Sequence, residues 1–286
     1  MTLAQAQTDT LAKLALLYDD REAANICDWV LEKVTGQKRI DRLMNKQADL
    51  PQEQVIRLQQ IIAELQSHRP VQYVLGEAWF AGMRFFVNES VLIPRPETEE
   101  LVEWIVTECG KPDSRNRKCH ILDIGSGSGC IPIALQKKLQ QYTVSSLDIS
   151  NAALAIARKN AAMLDADVHF QQFDFLEEAR WSKLPVFDVI VSNPPYVKQS
   201  ERSSMAKHVL DFEPSLALFV PDEDALVFYR KIAAFGKTHL SKGGAIFLEI
   251  NETLGKETVS LYEQEGYTTE LRKDLQGKDR MVKASL

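Results

Sequence analysis

CHILDIGSGSGCIPIAL, residues 119–135, is the stretch whose reading decides the fold. A short apolar run from Cys119 to Ile124 stops at a glycine-rich loop, Gly125-Ser126-Gly127-Ser128-Gly129. A second apolar run, Cys130 to Leu135, then has the length and spacing of a helix start. Strand, tight loop, helix is the opening unit of a wound α/β sheet. Working outward, TVSSLDI (143–149), VHFQQFDF (168–175), FDVIVS (187–192) and AIFLEI (245–250) are further short apolar runs. Helical stretches separate several of them, which predicts a mostly parallel sheet covered on both faces. In such sheets ligands bind beyond the carboxyl ends of the strands, where the strand order reverses. The strand ends are therefore the candidate site.

The glycine loop is the first of these ends. Glycine lets backbone turn tightly and approach a ligand, and free amides at a helix start attract an anion. The dinucleotide pattern G-x-G-x-x-G does not fit: from Gly125 it needs glycine where Cys130 stands, and from Gly127 where Pro132 stands. No G-K-[S/T] follows for a triphosphate loop. The loop suits the methionine part of S-adenosylmethionine, whose carboxylate is the anion. The second strand ends near Asp148, nineteen residues past Gly129, where a carboxylate can accept from both ribose hydroxyls. The third ends in Asp174-Phe175, a carboxylate for the adenine amino group and a ring for its face.

The fourth strand ends in Asn193-Pro194-Pro195-Tyr196. Two prolines stiffen the chain and hold carbonyls at a fixed angle. The Asn193 side-chain oxygen and the Pro194 carbonyl can accept both N–H bonds of a planar NH₂ group, with Tyr196 packed on that group. This would aim a delocalised, weakly nucleophilic nitrogen at the methyl of the cofactor, which is then expected to contact Asn193 as well. Asn193, Pro194 and Tyr196 are the candidate catalytic residues, and Asn193 to Tyr196 the substrate site.

The first part of the chain has a different rhythm. Leu11, Leu14, Leu17 and Tyr18 form one helical face; Ala24, Cys27, Val30, Leu31 and Val34 a second; Val55, Leu58, Ile61, Ile62 and Leu65 a third, opened by Pro51. WFAGMRFFV (79–87) reads as a β-hairpin around Ala-Gly, and PETEELVEWIV from Pro96 as another helix. The expected organisation is a helical bundle over 1–68, a linker with a hairpin over 69–95, and a catalytic domain over 96–286.

A net charge of −6 disfavours a strong nonspecific hold on nucleic acid or anionic membrane, which needs clustered cations. The basic KPDSRNRK (111–118) reads as a solvated linker. Four cysteines make no C-x-x-C pair and five histidines lack zinc spacing, so no metal is expected. The first twenty residues lack a basic-then-apolar leader and no apolar run reaches the ~20 residues of a membrane span, so a cytoplasmic chain is expected, and, with nothing suggesting an obligate oligomer, a monomer.

These motifs together resemble the HemK/PrmC family of peptide-chain-release-factor glutamine N5-methyltransferases. The resemblance runs from about Gln5 to Lys283 and is carried by LIPRPETE (92–99), GSGSG (125–129), NPPY (193–196) and VLDFEPSLALF (209–219). It implies a Rossmann-like class I methyltransferase with a mostly parallel seven-stranded sheet and a small N-terminal all-α domain, which its position ahead of the hairpin leads us to expect in contact with the protein substrate. It also implies the substrate, the glutamine of the Gly-Gly-Gln loop in class I release factors, and places Arg95 to Glu99 along the site. NPPY by itself also suits methyltransferases of exocyclic base nitrogens, which carry a basic nucleic-acid-binding region alongside. A cofactor-binding but inactive scaffold is the third reading, against which an intact NPPY stands.

Overall fold

The computed structural model describes residues 1–110 and 119–286, so the basic run 111–118 lies outside the described residues. The chain divides into two units, Met1–Glu77 with Lys207–Phe212, and Ala78–Ala206 with Glu213–Leu286.

In the first unit, α1 (Leu3–Leu14), α2 (Asp20–Thr35), α3 (Arg39–Met44), α4 (Gln52–Gln66) and α5 (Val71–Leu75) follow one another. Thr2 opens α1 with a reciprocal capping box to Gln5, and the Asp19 carboxylate accepts the Glu22 amide to open α2. The core gathers Leu14, Ile26, Val30, Leu58, Ile61 and Leu65. The expected third face on α4 is there, with Leu58, Ile61, Ile62 and Leu65 buried. On α2 the buried stripe is Ala23, Ile26, Cys27, Val30 and Leu31, while Ala24 is exposed. Ala24 sits about 100° round the helix from Ala23, so one residue of misphasing moves it from core to solvent. Leu17 and Tyr18 lie past the end of α1, and the short α3 was not legible at all.

The second unit begins with β1 (Ala78–Phe80) and β2 (Met83–Phe85). They pair antiparallel through Ala81 and Gly82, both at positive φ, as a tight two-residue hairpin turn demands. Next come α6 (Pro96–Cys109), β3 (Cys119–Ile124), α7 (Cys130–Lys138), β4 (Tyr142–Asp148), α8 (Asn151–Met163) and β5 (Val168–Gln172). They are followed by β6 (Phe187–Ser192), β7 (Val197–Lys198), β8 (Phe219–Val220), α10 (Val227–His239), β9 (Leu240–Glu249), α11 (Gly255–Gln264), β10 (Thr268–Lys273) and β11 (Asp279–Ser285). The remaining helix, α9 (Lys207–Phe212), belongs to the first unit.

Seven strands form one sheet in the order β5-β4-β3-β6-β9-β11-β10. The first five pair parallel, and β11 is antiparallel to both β9 and β10. Side chains alternate across it: Ile121, Val189 and Val191 join one apolar layer with Trp104, Leu135 and Phe247. Leu122 and Ile190 face the other, with Tyr229, Phe235 and Tyr262. Strand order reverses between β3 and β6, so the carboxyl ends of these two neighbours flank the crevice. The expected mostly parallel seven-stranded sheet is what the chain forms. Among the described residues no helix is long and apolar enough to cross a membrane.

Candidate functional site

The glycine loop leaves β3 and is sewn at once to the next strand. The Gly125 and Ser126 amides both donate to the Leu147 carbonyl, at 2.8 and 3.0 Å. Below the loop, Asp123 accepts from Ser146 Oγ at 2.6 Å, and Ser146 meets Ser126 Oγ. Asp123 is fully buried and its other oxygen has no partner among the described residues, so burial pushes its carboxyl well above the usual range. Gly125, Gly127 and Gly129 all hold positive φ, but for different ends. At Gly127 an added Cβ would meet nothing within 4 Å, so the backbone there faces open space. At Gly129 it would meet Ile133 at 3.0 Å and Ala157 at 3.2 Å, so this glycine lets α7 pack on α8.

Asp148 closes β4 with its two oxygens divided. Oδ2 accepts the Gly127 amide at 2.9 Å and Oδ1 the Ser150 amide at 2.8 Å. Burial raises its pKa, and these amides oppose the rise. Past β5, Asp174 accepts the Leu176 amide at 3.0 Å. Phe175 lies along the wall with its ring packed inward, 5.4 Å from Trp181 and 5.3 Å from Phe235 between centroids.

One cavity collects these residues at the carboxyl ends of the strands. Gly125 to Ser128, Asp148, Asp174, Phe175, Asn193, Pro194 and Pro195 all line it. Its apolar walls include Ile124, Ile131, Leu147, Ile149, Phe173 and Leu176. Two expected residues stand apart from the wall. Gly129 serves the helix packing just described. Tyr196, half-buried, packs against the apolar layer that contains Tyr229, and burial first, then the nearby Glu249 carboxyl, raise its phenol pKa.

The two strand ends that matter most are adjacent. A Cβ on Gly125 would lie 4.0 Å from the Asn193 carbonyl oxygen, so the glycine loop and the NPPY turn abut. The Asn193 side-chain amide donates from Nδ2 to Thr98 Oγ1 at 3.2 Å. Thr98 Oγ1 in turn donates to Glu249 Oε2 at 2.6 Å. Glu249, the last residue of β9, is buried, and that burial lifts its pKa to about 7 despite the bonds from Thr98 and Asn193. Glu213 is buried too and accepts from the Ile93 amide at 3.3 Å and from the Arg95 guanidinium. That pair ties LIPRPETE to EPSLALF along the cavity rim, with Pro94, Arg95, Pro214 and Leu216 in the lining. Sequence reading missed Thr98, Glu213 and Glu249 as individuals. The only signal was that the first two fall inside family hallmark segments.

The arrangement suits an elongated ligand with a carboxylate, a diol and a flat heterocycle. Backbone at Gly127, whose own amide is already bonded to Asp148, the Asp148 carboxylate, and apolar walls that reach Asp174 and Leu176 offer surfaces for these three parts. S-adenosylmethionine has these three parts.

Two family models match the chain: the methyltransferase small domain over residues 105–213 and the PrmC N-terminal domain over residues 5–76. A release factor glutamine methyltransferase of Flavobacterium psychrophilum is 43% identical over 287 residues, spanning 100% of this chain and 99% of that protein. One from Bacteroides thetaiotaomicron is 44% identical over 94% of this chain and 95% of its own. Among solved structures, a delta-N METTL16 MTase domain superposes with a TM-score of 0.51 at 15% identity. It covers 71% of this chain and 89% of that domain, a likeness of fold alone.

Proposed function

The chain belongs to the release factor glutamine methyltransferase family, and from that premise we propose the reaction its cavity serves. It transfers a methyl group from S-adenosylmethionine to the side-chain amide nitrogen (N5) of the glutamine in the Gly-Gly-Gln loop of class I release factors. The observation that carries this reading is the placement of Asn193-Pro194-Pro195 against the Gly125 loop in one cavity.

Gly125 to Ser128 would hold the methionine part of the cofactor, Asp148 its ribose hydroxyls, and Asp174, Phe175 and Leu176 the adenine. When bound, the cofactor supplies an electrophilic methyl group on a sulfonium sulfur. The residues of this chain do the rest by orientation. A glutamine amide nitrogen shares its lone pair with the carbonyl and is a poor nucleophile. Asn193 Oδ1 and the Pro194 carbonyl accept its two N–H bonds, which fixes the plane of the amide and favours positive charge growing on nitrogen. A side-chain base is not needed beforehand: as the new N–C bond forms the S–CH₃ bond breaks with its electron pair left on sulfur, and the nitrogen, acidic only then, loses one N–H proton after transfer. The apolar walls exclude water from the methyl donor.

The test is methyl transfer from labelled S-adenosylmethionine to a purified class I release factor, compared with its GGA variant, and peptide mass mapping. A methyl on the loop glutamine, absent from the variant, is expected. Transfer to another residue, or none with cofactor bound, would overturn the reading.

A further inference from the structure

An asparagine side chain can present either its oxygen or its NH₂ to a ligand, and the two ends differ little in shape. If Asn193 turned its NH₂ toward the cavity, it would oppose the substrate amide donor to donor. Something must hold the amide the right way round. In this chain the far end of Asn193 meets Thr98 Oγ1, and Thr98 meets the buried Glu249 carboxyl. Each of the three comes from a different part of the second unit: Thr98 from the first turn of α6, Asn193 from the turn after β6, and Glu249 from the end of β9.

We propose that Glu249 and Thr98 are positioning residues that set the polarity of the Asn193 amide, so that its oxygen and not its NH₂ faces the substrate. This rests on the glutamine-methylation reading above and adds to it the source of the orientation. In its ionised form, the one that this orientation requires, the Glu249 carboxylate only accepts hydrogen bonds. Thr98 must therefore spend its single proton on Glu249, at 2.6 Å. The Thr98 oxygen is left as an acceptor and takes the Asn193 NH₂, at 3.2 Å. Donors run one way along the chain, from Asn193 to Thr98 to Glu249. Asn193 lines the cavity, and its Oδ1 takes no donor from the described residues, which leaves that oxygen for a substrate N–H. A neutral side chain of the same size at position 249 would lose this one-way rule. A glutamine there can donate to Thr98, which then donates to Asn193 Oδ1 and removes the acceptor that the reaction uses.

The experiment compares wild type with Glu249→Gln, Thr98→Val and Thr98→Ser in the full chain. Steady-state methylation of a release factor is measured alongside calorimetric affinity for S-adenosylmethionine. Glu249→Gln should lower kcat about 10–100-fold, as expected when a preorganised contact is scrambled, with cofactor affinity and KM for the protein substrate within about twofold. Thr98→Val should fall several-fold, about fivefold, because Glu249 still accepts from Asn193, and Thr98→Ser should recover most of that loss. A purely structural role would lower thermal stability and all constants together. A Glu249→Gln enzyme with wild-type kcat, a loss confined to KM, or a Thr98→Ser variant as slow as Thr98→Val would overturn the proposal. The ¹⁵N-resolved side-chain NH₂ of Asn193, assigned through its loss in Asn193→Ala, gives a readout without turnover. Its exchange with water should be slow in wild type and faster in Thr98→Val. Equal exchange would overturn the proposal even if wild type methylated nothing, while slow exchange with no glutamine methylation would sink the reaction assignment alone.

Discussion

At the proposed cofactor end of the cavity backbone amides meet acceptors close by in sequence, and at the proposed amide end side chains meet from distant parts of the chain. The Gly125, Ser126 and Gly127 amides are fixed on the Leu147 carbonyl and Asp148 carboxylate within two neighbouring strands. Asn193, Thr98 and Glu249 meet from positions up to 151 residues apart. Apart from Asp148, the first end should therefore tolerate side-chain change wherever the backbone path survives, while the second depends on identity at each position. Binding should be set mainly by the first end and turnover by the second.

The strongest way to break this division is Asn193→Ala. It removes the proposed acceptor without disturbing the strand, since Asn193 is only half-buried in the turn after β6. Turnover should drop roughly 10²–10³-fold, the usual cost of one lost preorganised contact. Cofactor affinity by calorimetry should change far less. An affinity loss as large as the turnover loss would mean that the two ends are one site energetically.

A second prediction uses the buried carboxyl at the amide end. Glu249 has its pKa raised from 4.5 to about 7, chiefly by burial. The groups around it are Glu97 and Arg280, with Tyr196, Tyr229 and Cys130 also within its field. A raised acid binds its proton more tightly when folded, so between pH 4.5 and 7 the native state holds more protons than the unfolded one. Stability from this group is therefore lost as pH rises through that window, by about 3 kcal/mol in all. Glu249→Gln does not titrate. Chemical denaturation should show it gaining on wild type from pH 5 to pH 8 by an amount of that order. A constant difference across that range would show that Glu249 keeps an ordinary pKa. Gain in stability with loss of kcat would fit a charge retained for polarity at the expense of the fold.

The same contrast explains what could be read in advance. GSGSG and the apolar run before it are contiguous, and glycine spacing reports backbone geometry directly, so the loop, β3 and α7 were legible. Asp148 was legible because strand length and crossover length fix its distance from the loop. Glu249 was not: AIFLEI shows an acid at a strand end, but nothing local says that it is buried against Thr98. The antiparallel strands of the large sheet, β10 and β11, escaped the residue-level reading for another reason. TTELRK in β10 alternates exposed and half-buried residues at an edge, so it has no apolar run to detect. Tyr196 shows the limit of adjacency in sequence: its motif neighbours line the cavity, while its own half-buried side chain packs against the apolar layer.

The smallest effect sharpens the comparison from the cofactor side. Asp148→Asn keeps the size of the side chain but puts an NH₂ against one of two amide donors, either Gly127 or Ser150. Hydrogen bonds to charged groups contribute about 1.5–3 kcal/mol, so cofactor affinity should weaken roughly 10–100-fold. At saturating cofactor, kcat should stay within about twofold of wild type, because no group at the amide end has moved. Burial raises the Asp148 pKa, and ribose hydroxyls bind its ionised form. Wild-type affinity should thus decline on acidification as the carboxylate takes up a proton, and the Asn variant should lack that decline. A variant that binds cofactor normally but turns over slowly would move Asp148 from holding the ligand to orienting it, and the division between the two ends would fail at its clearest point.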